Sequence, residues 1–145
     1  MTQNEKELLL KDLCARLPYR VKFEHTDKHT LCEILSITPI YDYGNVIYFD
    51  DAINHPKKCS IDDVKPYLFP LSSMTEEHIF EINDILGKDF EIDKYGITDL
   101  IRNRRTCLSY LELDALFEYF NKYHFDYRGL IEKGLAIDAT NLNIY

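Results

Sequence analysis

The stretch from His124 to Ala136, HFDYRGLIEKGLA, constrains the fold most because it combines a helix start, a helix stop and a glycine between them. Asp126 is placed to cap a helix, and Gly134 supplies a left-handed stop shortly afterwards. Gly129 inside such a helix costs about 1 kcal/mol relative to alanine. We therefore predict a very short capped helix held in shape by packing. A close approach to Gly129, by the protein's own core or by a partner, would offset its cost.

Two longer helices are predicted from equally clear start signals. Thr75 is the expected N-cap of the first, and Gly87 ends it. Ser109 and Glu112 form a capping box at the start of the second. Apolar side chains recur at helical spacing in both, as Ile79, Ile82 and Leu86 and as Leu113, Leu116, Phe117 and Phe120. Residues 88–105 show no clean period and are interpreted as a loop.

The N-terminal region predicts another helix, over residues 5–17. Asn4 is the expected N-cap, Glu7 completes a capping box, and Pro18 stops the helix. The apolar stripe consists of Leu9, Leu10, Leu13, Cys14 and Leu17.

Apolar runs between residues 19 and 70 predict short β-strands. They are placed at 19–24, 30–37, 46–49, 59–61 and 64–70. The continuous apolar run at 46–49 is typical of a central strand. Pro66 and Pro70 restrict the last strand to a sheet edge or a linker.

These elements together predict an α+β fold in a single domain spanning residues 1–145. An N-terminal helix (5–17) precedes a β-rich part (19–70) and a helical C-terminal part (74–140). The short strands suggest a small, strongly bent antiparallel sheet or a partial barrel.

The charge and the apolar pattern exclude several classes of protein. The net charge is −8, and the acidic excess lies mainly in the second half of the chain, which disfavours nucleic-acid binding. No apolar run approaches the roughly 18–20 residues of a membrane-spanning helix. The first residues lack the pattern of a signal peptide, so a cytoplasmic location is expected.

The cysteines and histidines offer weak metal-site spacings. His25, His29 and Cys32 read H-x3-H-x2-C, and His55 with Cys59 repeats an H-x3-C step. However, His25 and His29 flank a predicted hairpin turn, where polar residues are common. No CxxC pair occurs, and the four cysteines, Cys14, Cys32, Cys59 and Cys107, are interpreted as buried small side chains. We predict no metal and no cofactor.

Three stretches resemble a family of short uncharacterised proteins of gut anaerobes and of their prophages and other mobile elements. They are residues 9–19 (LLKDLCARLPY), residues 65–77 with KPYL and SSMTEE, and residues 124–136. The chain departs from the family at Arg20, where glycine is expected, and across residues 88–107. The resemblance implies a bacterial or phage accessory protein; the family carries no established activity, cofactor or catalytic residue.

The residues with the strongest interaction chemistry lie in the C-terminal stretch. They are His124, Asp126, Tyr127 and Arg128. Tyrosine and arginine often anchor protein interfaces, because each provides a large contact area and directed hydrogen bonds. Alternatively, Arg128 pairs with Asp126 or another acid and only pins this stretch against the sheet.

Two other sets of residues define the remaining hypotheses. The cluster of Arg102, Arg104 and Arg105 has the chemistry to bind phosphate or an acidic partner, or it balances acidic neighbours in a solvated loop. Cys107 with His124 has the residue types of a cysteine hydrolase, but it lacks a glycine-flanked nucleophile turn.

The leading hypothesis is a non-enzymatic accessory protein that binds another protein. The alternative is a nucleic-acid-associated module that uses the sheet, with Tyr41, Tyr43 and Tyr48 as stacking platforms, and the arginine cluster. A small cysteine-dependent hydrolase is the third hypothesis.

Overall fold

The computed structural model describes residues 1–40, 44–50, 57–87, 92–97 and 108–145, and it confirms the α+β class. The longer helices are α1 (Gln3–Arg16), α2 (Glu76–Leu86) and α3 (Tyr110–Lys122), and residues 94–97 form one helical turn where a loop was predicted. The strands are β1 (Lys22–His25), β2 (Thr30–Ile40), β3 (Gly44–Asp50), β4 (Lys57–Ser60), β5 (Val64–Leu68) and β6 (Ile137–Asp138). Short 3-10 turns occupy Leu17–Tyr19, Ile61–Asp63 and Leu71–Ser73.

The strands form one open sheet in the order β4-β3-β2-β1-β5-β6. All neighbouring strands are antiparallel except β5 and β6, which are parallel. A register shift between Ile34 and Ser36 interrupts the long β2–β3 hairpin, and such bulges bend a strand locally. The expectation of a small antiparallel sheet is confirmed, and the sheet remains open rather than closing into a partial barrel.

Strand β5 lies inside the sheet, so its predicted placement at an edge or in a linker was wrong. Pro66 is buried and stands opposite Phe23 of β1. Tyr67 and Leu68, which follow the proline, pair with β6 on the other side of the strand. A proline removes one backbone donor only, and the residues after it retain the N–H groups that a second neighbour needs.

Helix α1 starts earlier than the sequence suggested. Thr2 is its N-cap and forms a capping box with Glu5, in place of Asn4 and Glu7. The helix ends at Arg16, and Pro18 lies within the 3-10 turn that follows.

The buried face of α1 also differs from the predicted apolar stripe. The buried side chains are Leu9, Asp12, Leu13 and Arg16. Cys14 is exposed, which contradicts its predicted burial. The helix is therefore rotated so that a charged pair, rather than the thiol, faces the interior.

The starts of α2 and α3 are confirmed. The Thr75 side chain accepts a hydrogen bond from the His78 amide, and Ser109 and Glu112 form the capping box of α3. Gly87 ends α2 with a φ of 87°, a backbone conformation that residues other than glycine rarely adopt. Among the described residues, no helix combines the length and apolar character that a membrane span requires.

Two hydrophobic cores lie next to each other. The first packs α1 against one face of the sheet and contains Leu9, Leu13, Val21, Phe23, Cys32, Ile34, Ile47, Phe49, Ile61, Val64, Leu68, Leu130, Leu135 and Ala136. The second packs α2 against α3 and contains Met74, Ile82, Leu86, Ile97, Leu116, Tyr119, Phe120 and Phe125. The stretch 124–136 contributes side chains to both cores.

Candidate functional site

Residues 127–134 form a series of turns, so the predicted short helix was wrong. Gly129 and Gly134 have φ angles of 68° and 69°, and a left-handed residue in the middle of the stretch prevents a continuous helix. Asp126 still acts as a cap, because its Oδ1 accepts a hydrogen bond from the Leu130 amide at 2.9 Å. Its Oδ2 accepts one from the Ile131 amide at 2.8 Å.

The backbone conformation explains the glycine at position 129 better than close packing does. A Cβ atom added there would lie 3.1 Å from Lys133 Nζ, the mobile end of a long side chain. The near neighbour is thus a flexible side-chain end and not the packed core, and an approach to Gly129 by a partner stays a prediction. The left-handed φ alone disfavours any other residue by about 1 kcal/mol or more.

A buried charge cluster holds the C-terminal stretch against α1. Arg16 is fully buried and donates from Nε to Asp12 Oδ2 at 2.7 Å and from Nη2 to Asp12 Oδ1 at 3.0 Å. Its guanidinium also donates to the carbonyls of Phe120, at 3.1 Å, and Phe125, at 2.8 Å. Arg128 Nε lies 3.2 Å from Asp12 Oδ1, close enough for an ion pair but without hydrogen-bond geometry. The Asp12 carboxylate thus pairs with the guanidinium groups of both Arg16 and Arg128.

Tyr127 connects this cluster to α3. Its ring stacks on Phe117 and Phe120, with centroid distances of 5.1 and 5.6 Å. Its hydroxyl donates to Asn121 Oδ1 at 3.2 Å and accepts from Arg128 Nη2 at 2.7 Å. The Arg128 guanidinium also lies 4.7 Å from the centre of the same ring. These contacts fix both side chains, which supports a structural role for each.

A cavity of about 490 Å³ opens beside this cluster. Three of the predicted interaction residues, Asp126, Tyr127 and Arg128, lie in its wall. The rest of the wall includes Leu71, Ser72, Tyr95, Ile131, Glu132 and Lys133.

His124 faces away from that cavity, although it precedes Asp126 by two residues. It lies in a second cavity, of about 370 Å³, and has a φ of 58° that turns the chain. Its ring stacks on Tyr145 with the centroids 3.9 Å apart. The Tyr145 hydroxyl in turn donates to the Tyr67 carbonyl at 3.0 Å and accepts from the Lys22 amide at 3.1 Å. The last described residues are thus docked on the sheet.

Burial sets the protonation of these stacked rings. The pKa of His124 is lowered from 6.5 to about 4, chiefly because burial disfavours the charged ring and also because Arg16 is nearby. A hydrogen bond with the Tyr19 backbone opposes this shift. Burial raises the pKa of Tyr145 to about 12. Both rings are neutral at pH 7.

The lowered pKa of His124 predicts a loss of stability in mild acid. Below the ordinary value of 6.5 the unfolded chain takes up a proton, whereas the folded chain does not until about pH 4. The free energy of unfolding should therefore fall as the pH drops from 6.5 to 4, by at most about 1.4 kcal/mol per pH unit for this group. Urea titrations at several pH values measure it, and His124→Asn, which tolerates a positive φ, should flatten the dependence over this window.

His29→Asn is the matched control, because His29 also has a positive φ, of 48°, but is exposed. A wild-type pH profile that His124→Asn leaves unchanged would contradict the assignment.

Most of the other predicted site residues cannot be placed in the fold, because they belong to parts of the chain that the structure does not describe. Arg102, Arg104, Arg105 and Cys107 lie outside the described residues, as do Tyr41, Tyr43 and His55. His25 is buried, and His29 pairs with Glu24 at 3.0 Å. Within the described ranges, no group of three or more histidine, cysteine or acidic side chains is placed to hold a metal ion.

Helices α2 and α3, which pack against each other, expose a second candidate set of side chains that the sequence analysis missed. Phe80, Tyr110 and Leu111 are 75%, 93% and 82% exposed. Helix α2 carries four acidic and no basic side chains, and α3 carries three acidic and one basic. The signal was present in the sequence, since these apolar residues fall outside the buried stripes of both helices.

Four of the acidic side chains on this surface are exposed and unpaired. They are Glu76, Glu77, Asp84 and Asp114, none of which has a hydrogen bond or ion pair from its side chain to the parts of the chain that the structure describes. We call Phe80, Tyr110, Leu111 and these four acids the acidic helical face.

Comparison with protein-family models, with curated proteins and with solved structures gives no match for this chain.

Proposed function

We propose that this protein is a non-enzymatic accessory protein that binds another protein through the acidic helical face. The exposure of Phe80, Tyr110 and Leu111 supports the proposal. Large apolar side chains at such exposure stabilise nothing within the monomer, whereas their burial at an interface removes apolar surface from water. Phenylalanine and tyrosine are also enriched at interfaces over the rest of the surface.

The charge of this surface indicates the chemistry of the partner. Unpaired carboxylates around exposed aromatic rings favour a partner segment with lysine or arginine next to apolar side chains. The net charge of −8 would accelerate the association with such a basic segment and would make it sensitive to salt.

The proposed cellular context rests on the resemblance of three stretches to short proteins of gut anaerobes and their mobile elements. In that context the protein would act in the bacterial cytoplasm. The partner would be a protein of the host or of the mobile element.

An affinity capture from host lysate, with and without nuclease, tests this function. We expect a partner that survives nuclease treatment, has a basic binding segment and dissociates as salt is raised. Phe80→Ala combined with Leu111→Ala should abolish the capture, and Glu77→Lys combined with Asp84→Lys should weaken it strongly. The purified partner must then bind the purified protein with the same dependence on these residues.

Leu31→Ala combined with Leu35→Ala is the matched control, since both leucines are about half exposed and lie on strand β2, outside the acidic helical face. Equal loss of binding in the control, or recovery only of nucleic-acid proteins that nuclease removes, would contradict the proposal. The second outcome would favour a nucleic-acid-associated module instead.

A further inference from the structure

We infer that the cavity beside Tyr127 and Arg128 is a binding site for a peptide carboxylate. The site is separate from the acidic helical face and does not depend on its function. Its recognition element is Arg128, which lies in the cavity wall.

The first support is the imbalance within the buried charge cluster. Among the described residues, Asp12 is the one carboxylate paired with Arg16 and Arg128. Arg16 uses its remaining donors on two backbone carbonyls, so the cluster keeps one excess positive charge. A positive charge at a poorly hydrated position is stabilised by an anion that enters the adjoining cavity.

The second support is the fixed orientation of Arg128. Its Nε lies within ion-pair distance of Asp12, and its Nη2 donates to the Tyr127 hydroxyl. Nη1 has no hydrogen-bond partner among the described residues, and it is accessible to solvent. The Arg128 side chain as a whole is one-fifth exposed. Arg128 thus presents a free donor, and its side chain would lose little further conformational entropy on binding a carboxylate oxygen.

The other wall residues restrict the ligand. Asp126 also lies in the wall, with both oxygens occupied by backbone amides, and its charge disfavours a doubly charged phosphate more than a carboxylate. At the rim, Lys133 Nζ and Glu132 Oε2 both lie close to Gly129 and offset each other in charge. The apolar side chains of Leu71 and Ile131 suit an apolar residue next to the carboxylate.

A titration with three acetylated peptides tests the site, with the amide signals of Gly129 and Ile131 followed by NMR. Acetyl-Ala-Ala-Leu has a terminal carboxylate, acetyl-Ala-Glu-Leu-amide has only a side-chain carboxylate, and acetyl-Ala-Ala-Leu-amide has none. We expect at least one acidic peptide to bind about tenfold more tightly than the neutral amide. The comparison of the first two shows which source of carboxylate the cavity accepts.

Two variants separate binding from folding. Arg128→Gln should remove the preference for the acidic peptide. Ser72→Glu, which leaves the buried cluster intact and adds a negative charge to the wall, should do the same. Lys58→Gln, a loss of the same charge on β4 at the opposite edge of the sheet, is the control and should bind as wild type.

Equal binding of the acidic and neutral peptides would overturn the inference, and so would a preference retained in both Arg128→Gln and Ser72→Glu. Absence of binding by all three peptides up to about 5 mM would overturn it as well. The Phe80→Ala and Leu111→Ala variant should leave the titration unchanged, so failure of this site and failure of the helical face remain distinguishable.

Discussion

Arg16→Met is expected to lower the free energy of unfolding by about 3–5 kcal/mol, because removing one member of a buried ion pair leaves the other charge uncompensated. Asp12 would lose two charge-assisted hydrogen bonds and retain only its pairing with Arg128. The carbonyls of Phe120 and Phe125 would lose a buried donor. Methionine fills much of the volume, so the loss reports the interactions rather than an empty cavity.

Urea denaturation at pH 7 measures this effect, and Arg20→Met is the matched control. Arg20 also pairs with a carboxylate, that of Glu33 at 2.9 Å, but its side chain is 79% exposed. Exposed ion pairs contribute about 0–1 kcal/mol. Similar losses in the two variants would show that Arg16 is not part of a buried network.

Phe120→Ala is expected to cost about 3–5 kcal/mol, which is typical when a buried phenylalanine is truncated. The ring is fully buried in the helical core. It contacts the rings of Tyr119, Phe125 and Tyr127 at centroid distances of 6.4, 6.4 and 5.6 Å. The variant therefore removes apolar burial and several aromatic contacts together.

The matched control for this prediction is Phe80→Ala, because the Phe80 side chain is three-quarters exposed. We expect its unfolding free energy to stay within about 0.5 kcal/mol of wild type. A large loss in Phe80→Ala would mean that this ring packs within the protein, and it would also weaken the proposed role of the acidic helical face.

Local signals were sufficient to predict α2, α3 and the class of the fold, but not the turns at 127–134. Capping boxes and terminal glycines act over a few residues, so Thr75, Gly87 and Ser109 could be identified directly. The buried face of α1 could not be predicted in this way. Burial of the Asp12–Arg16 pair depends on carbonyl groups far along the chain that accept hydrogen bonds from Arg16. The expectation that prolines lie at a sheet edge is also a local rule. It gave the wrong position for β5, because the second neighbouring strand of β5 comes from residues 137–138.

The sequence predicted which stretch of the chain holds the candidate site, but not how its side chains are arranged. The sequence identified residues 124–128 by their chemistry, and Asp126, Tyr127 and Arg128 do share one cavity. His124 points into another, since its positive φ reverses the chain between them. The contribution of the distant Asp12 to fixing Arg128 had no signal in the sequence. The division into a single domain stays a prediction, as does the role of the arginine cluster at 102–105.

The bonds from Arg16 have a consequence for the order of folding. The two carbonyls that accept from its guanidinium lie 104 and 109 residues further along the chain. While the chain is being synthesised, α1 can form with its Arg16–Asp12 pair, but the two carbonyl acceptors are missing until α3 and Phe125 have left the ribosome. Completion of the Arg16 network is therefore a late event, and contacts of such long range slow folding. Until then α1 can pack on the sheet through Leu9 and Leu13, but its charged pair is not yet enclosed by the helical half, which makes this interval the one in which a chaperone would matter most.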